Sequence, residues 1–196
     1  MLRKQQVIQA VGELVIPLLG FFWLNWDLYF ILLFYVLDLL ATEVFYQFKY
    51  SKIINFQGVE NKVYHRFSSV GLVIILVVLS HIMILNLYPE LVLFDSFIAF
   101  LAYEEAGIPI PQGFLLLPLI VFGNFQQYKM FFLMPNRFRI ISISALYISR
   151  RSALLAALGM ISLTTAVLFF IEIPEVAVLL VFVIGKLWFD LKRSVL

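Results

Sequence analysis

All 14 Lys and Arg residues of this 196-residue chain can be threaded onto one side of a membrane. Apolar runs recur at about 6–25, 28–47, 67–88, 113–132, 153–171 and 174–190. About twenty apolar residues in a helix span a hydrocarbon core of roughly 30 Å. The cations fall between every second pair of runs. Arg3 and Lys4 precede the first, and Lys49, Lys52, Lys62 and Arg66 separate the second from the third. Lys129, Arg137, Arg139, Arg150 and Arg151 surround the junction of the fourth and fifth, and Lys186, Lys192 and Arg193 close the chain. Asp27, Glu90, Asp95, Glu104, Glu105, Glu172 and Glu175 fall on the other side, with no cation among them. Cytoplasmic loops collect Lys and Arg, so this pattern predicts six crossings with both termini cytoplasmic.

Composition removes the main competitor. A chain that is 63% hydrophobic and 13% charged, with a mean hydropathy of +1.02, cannot cover a soluble domain with a surface fit for water. The expected fold is all-α: a polytopic membrane helix bundle, one domain over 1–196, with six transmembrane helices plus one re-entrant or interfacial helix. That extra helix is the run 91–107, which is short, carries Asp95, Glu104 and Glu105, and is bracketed by Pro89, Pro109 and Pro111. A full crossing there would move Arg137, Arg139, Arg150 and Arg151 outside, so it is expected to dip into or lie on the outer face, a tilted seventh span being the alternative. Residues 136–151 alternate apolar and polar side chains at helical spacing and are expected to lie on the inner leaflet, their arginines near lipid phosphates. Ordinary charge bias accounts for the same arginines. Met1 to Gln6 leads into a run with Glu13 and Pro17 and no small-residue cleavage site, so the first run is expected to stay as an anchor. Trp23, Trp26 and Trp188 fit belts at the interfaces.

Several polar groups lie where oil is expected. Glu13, Asp38, Glu43, His81, Asn124, Gln126, Gln127 and Lys186 all fall inside the runs, and such groups face the bundle interior or a wet cavity. Counting the helical rise puts Glu13, Glu43 and Lys186 roughly 6 to 10 Å into the cytoplasmic half, with Asp38 nearer the midplane. These residues are expected to gather as one charged cluster. Tyr35, Asp38, Thr42 and Tyr46 share a stripe, while Glu43 projects away from it and pairs by spacing with Gln47. Lys186 and Asp190 are four apart, which gives an ion pair within one helix as the simplest partnership; Glu13 or Asp38 is the interhelical alternative. Asn124, Gln127 and Tyr128 share another face, suited either to interhelical hydrogen bonds or to a polar path. Ala153, Ala157, Gly159, Ser162 and Ala166 suit close helix packing.

Catalytic chemistry finds little support. With zero cysteines, disulfides and thiolate chemistry are excluded. His65 and His81 are not at ligand spacing, and neither follows a Glu by three residues, so neither a catalytic zinc site nor a carboxylate-bridged metal site is expected. Ser80 and His81 are adjacent on a helix and point apart, and no Gly-x-Ser-x-Gly motif occurs. His81 is read as a packing histidine, with a proton relay as its alternative. No metal, no cofactor and no nucleic-acid partner are expected.

The run Glu13-x-x-x-Pro17-x-x-Gly20, then Trp26-Asp27-Leu28 and Leu33-Phe34-Tyr35-Val36-Leu37-Asp38, resembles the opening of an uncharacterised family of small bacterial integral membrane proteins, a domain of unknown function. The second helix of that family reads Tyr-Trp-x-Glu; here Val36 and Asp38 take the Trp and Glu places. The ending Lys186-Leu187-Trp188-Phe189-Asp190 is similar to its closing Lys-x-x-x-Asp. The resemblance implies a six-pass protein of the bacterial cytoplasmic membrane and no particular activity, and it marks Asp38, Lys186 and Asp190 as the positions to test first.

Three functions remain open. The first is a path or binding site for protons, ions or a small polar solute, lined by Glu13, Asp38, Glu43, Lys186 and Asp190, with His81, Asn124 and Gln127 as secondary groups. The second is a non-catalytic scaffold or accessory subunit, fastened by buried polar groups to another membrane protein or to copies of itself. The third, a lipid-processing enzyme with an inner-leaflet carboxylate, has no motif to carry it.

Overall fold

The computed structural model describes residues 15, 17–23, 26–60, 62–102, 112–171 and 173–193. Among the described residues every regular element is a helix. They are α1 (Leu28–Gln57), α2 (Val63–Leu87), α3 (Leu93–Ala102), α4 (Gln112–Tyr128), a π turn (Lys129–Leu133), a 3₁₀ turn (Arg137–Arg139), α5 (Ile143–Leu168) and α6 (Glu175–Arg193). Residues 17–23 are helical ahead of α1.

The ends of α1 are set by capping chemistry. The Asp27 carboxylate accepts from the Phe30 N–H at 2.6 Å, and Gly58 stops the helix at φ 64°, its N–H donating to the Ile54 carbonyl at 2.9 Å. Thirty residues give α1 a length of about 45 Å. The sequence places its end near Gln47, because Lys49 and Lys52 follow. The structure carries the helix on to Gln57, since a lysine marks where a chain leaves oil and has no power to end a helix. The same error misplaced the start of α5. Residues 136–151 do not form one interfacial helix: a 3₁₀ turn comes first, and then the Ser142 hydroxyl accepts from the Ala145 N–H at 3.2 Å and begins α5. Arg150 and Arg151 therefore ride on α5 itself.

α1 is the central helix. Seventy-two per cent of its most apolar window is buried, against 28% for α2 and 17% for α5, whose outer faces show bare apolar side chains such as Phe67, Ile74 and Leu163. At one end of the bundle Leu28 to Leu33 pack with Met83, Phe100 and Leu179, and the Phe30 and Phe100 rings lie 4.4 Å apart. Trp26 is buried there, tilted on Phe30 at 4.5 Å and against Gly20, so it belongs to the core and not to an interfacial belt. The side chain of Tyr88 meets Glu175 at this end, with Asp27 close by. At the opposite end Tyr46, Tyr50 and Ile53 pack with Phe132, Phe138 and Leu146. There Gln57 donates to the carbonyls of Phe138 (2.9 Å) and Ile141 (3.0 Å), and the Tyr50 hydroxyl donates to the Lys62 carbonyl at 3.0 Å. Successive long helices thus run in opposite directions.

α2 and α5 pack through Val73, Leu76, Ala153 and Leu154. The small-residue face expected on α5 is only half used: Ala153 is buried, whereas Ser162 and Ala166 are exposed. Among the described residues three helices, α1, α2 and α5, are long and apolar enough to cross a membrane. α4 has 17 residues and holds Pro118 inside it, and α6 carries Lys186, Asp190, Lys192 and Arg193 along 19 residues, so neither meets that standard of length and apolarity. The ten described residues of α3 span about 15 Å.

Candidate functional site: an interhelical ion pair on a cavity wall

One face of α1 turns Tyr35, Asp38 and Thr42 inward, as their spacing of three and four residues requires. Lys186 of α6 reaches across to it, placing Nζ 2.8 Å from Oδ2 of Asp38, with the two side chains 15% and 14% exposed. Asn124 of α4 donates to the other carboxylate oxygen at 2.7 Å. Asn124 is itself buried and held in place: its Nδ2 also donates to the Ile120 carbonyl at 3.1 Å, and its Oδ1 accepts from the Thr42 hydroxyl at 2.8 Å. Each carboxylate oxygen of Asp38 therefore has a donor, one of them charged, which is the condition for keeping a carboxylate ionised away from water.

The pair borders a cavity of about 100 Å³ between α1, α2, α5 and α6. Its polar wall is Tyr35, Asp38, Thr42, Ser80 and Lys186, and its apolar wall includes Leu32, Val36, Leu76, Met160 and Phe182. Gly185 lets α6 lie close to α5, since a Cβ there would stand 3.1 Å from the Met160 methyl. The base of the Lys186 side chain is thereby set at the cavity rim.

A second ion pair is separate from the first. Arg150 of α5 donates to Oε2 of Glu43 from Nη2 at 2.8 Å and from Nε at 3.2 Å, and Ser69 of α2 donates to the same oxygen at 2.9 Å. Gln47 donates to Oε1 at 2.6 Å, and its own carbonyl accepts from Arg66 Nε at 2.8 Å. Glu43 and Arg150 are 6% and 7% exposed. The Arg150 guanidinium also lies 5.7 Å from the Tyr46 ring centroid. Every acceptor oxygen here is occupied by donors from α1, α2 and α5, so the pair fastens three helices.

The single charged cluster expected from sequence is thus two clusters. Glu43 projects away from the Asp38 stripe and pairs with Gln47, as its spacing requires, but its counter-charge is Arg150. Nothing in the sequence flagged Arg150, because it sits in a run of cations that reads as loop. Lys186 joins Asp38 and not the cluster of Glu43: the interhelical partnership holds for it, while the side chain of Asp190 and all of Glu13 lie outside the described residues. Asn124 belongs to the site directly. Gln127 is half-buried on the same helix and is not part of the cavity wall. His81 Nδ1 lies 2.8 Å from the Val77 carbonyl one turn back and its ring meets Tyr29 edge-on at 5.9 Å, the arrangement of a packing histidine. Among the described residues no three His, Asp or Glu side chains gather as a metal site. Set beside known proteins, the chain matches no family model, no curated protein and no solved structure.

Proposed function

We propose that the chain is an integral membrane protein crossing the bilayer six times, with both termini cytoplasmic, and that Asp38, Lys186 and the adjoining cavity form a binding site or path for protons or a small charged solute. The observation that carries this reading is a charged pair on a cavity wall, bridging two helices. A cavity of about 100 Å³ has room for several water molecules; most of its wall is apolar, and Asp38 and Lys186 are the charged groups on it. Ionisable groups at such depth are costly and face wet interiors or partners. Asp38 would accept the proton or cation, Lys186 would be the counter-charge it displaces, and Asn124 would hold the carboxylate in register. Because Lys186 belongs to α6 and Asp38 to α1, loading Asp38 weakens an attraction between those helices and couples occupancy to the position of α6.

Glu43 leaves the proposed path, because its oxygens are filled by Arg150, Ser69 and Gln47. The scaffold reading relied on buried polar groups turned towards a partner, and the carboxylates of both clusters are instead satisfied within the chain. The test is flux across reconstituted vesicles. Asp38→Asn, which keeps the side-chain shape, is expected to lower proton or ion flux at least tenfold with helix content unchanged, a difference worth about 1.4 kcal/mol in barrier. Wild-type vesicles as tight as empty ones would reject the path.

A further inference from the structure

The end of the bundle opposite α3 carries a built electropositive surface. Lys52 lies 5.3 Å from the centroid of the Phe138 ring and Arg139 lies 5.9 Å from the same ring, so two cations from different elements are held on one aromatic plate. Arg139 also lies 5.3 Å from the Phe56 ring, and Lys49 lies 5.7 Å from Phe132. Such contacts restrain long side chains without neutralising them. The plate is rigid because Phe132 and Phe138 are buried and Gln57 holds the elbow by the Phe138 and Ile141 carbonyls. Asn136, at φ 54°, supplies the sharp bend between the π turn and the 3₁₀ turn. Among the described residues no carboxylate sits against Lys52 or Arg139. Beside these cations Ile140 is 82% exposed and Met134 62%, apolar side chains that water would not favour.

We infer that this elbow is a docking site for the phosphate of an anionic phospholipid in the adjoining leaflet. Lys52 and Arg139 take the headgroup, while Ile140 and Met134 enter the acyl boundary beneath it. The surface differs from a loop that is merely basic: cations are fixed on rings at one spot, and apolar side chains flank them. A zwitterionic headgroup gives the same surface little net attraction, so the site selects lipid by charge. The inference rests on the membrane reading above.

The test uses the full chain in phosphatidylcholine vesicles with trace spin-labelled phosphatidylglycerol or spin-labelled phosphatidylcholine, reading the motionally restricted fraction of each label. The wild type is expected to prefer the anionic label several-fold, and the preference to fall steeply by about 0.5 M salt. Lys52→Gln with Arg139→Gln is expected to abolish that several-fold preference, since each cation is worth up to about fivefold. A preference kept by the double variant, or indifferent to salt in the wild type, overturns the site. The salt series needs no variant and so decides the matter even if the double variant fails to fold. Restricted lipid without anionic preference overturns this inference alone; no restricted lipid at all overturns the membrane reading with it.

Discussion

Replacing Arg150 with Met tests the pair on which three helices converge. Glu43 would lose both guanidinium contacts, at 2.8 and 3.2 Å, and keep only the neutral donors Ser69 and Gln47. Hydrogen bonds to charged groups contribute about 1.5–3 kcal/mol each, and breaking a buried pair from one side costs about 3–5 kcal/mol. The two figures agree because both measure a carboxylate left without its counter-charge. For a chain of this size that is a fall in midpoint of roughly 6–20 °C, at about 2–4 °C per kcal/mol. Thermal unfolding in mild detergent, followed by circular dichroism, reads it directly. Glu43→Gln combined with Arg150→Met should recover most of the loss, since a neutral amide accepts from Gln47 through its oxygen, donates to the Ser69 hydroxyl through its nitrogen, and leaves no charge stranded. A single variant within about 0.5 kcal/mol of wild type, the range of an ordinary surface substitution, would refute the claim that this pair fastens the bundle. So would a double variant no more stable than the single.

Two further perturbations probe other joints. Gln57→Ala removes two hydrogen bonds to the elbow, worth about 1–3 kcal/mol together, and should speed tryptic cleavage at Arg137 and Arg139 while leaving the rest of the chain as resistant as before. Gly113→Ala puts a Cβ into the Phe100 carbonyl oxygen, so α3 must move away from α4; amide exchange over 93–102 should accelerate with little change in α2 or α5.

Much of the fold is legible in the residue order, and the reasons are local. Asp27 caps the start of α1 where the apolar run begins, whereas its end at Gly58 lies beyond the run, which stops near Gln47. What reads poorly is the extent of helices past the last apolar residue. Lys49 and Arg150 both look like loop, yet both lie inside helices, because hydropathy reports the solvent a segment prefers and not its hydrogen bonding. The candidate site is half legible. Asp38, Thr42 and Asn124 stand out as polar groups at helical spacing within apolar runs, and the divergence of Glu43 from that stripe follows from the 100° step of a helix. The choice of Lys186 for Asp38 and Arg150 for Glu43 does not follow from any spacing along one helix. A signal was present in retrospect: Glu43 lacks a cation three or four residues away, so its counter-charge had to come from another element.

By itself, the order of residues determined that the described chain is helical, where α1 begins, and which polar groups interrupt the apolar runs, because each of these depends on neighbours within a turn. Only the tertiary structure decided that α1 sits at the centre, that its two carboxylates answer to different helices, and that a cavity lies beside one of them. Those outcomes depend on how far helix backbones stand apart, a distance set by side chains remote in sequence meeting across the bundle, and pairing between remote residues leaves no periodic trace in either partner.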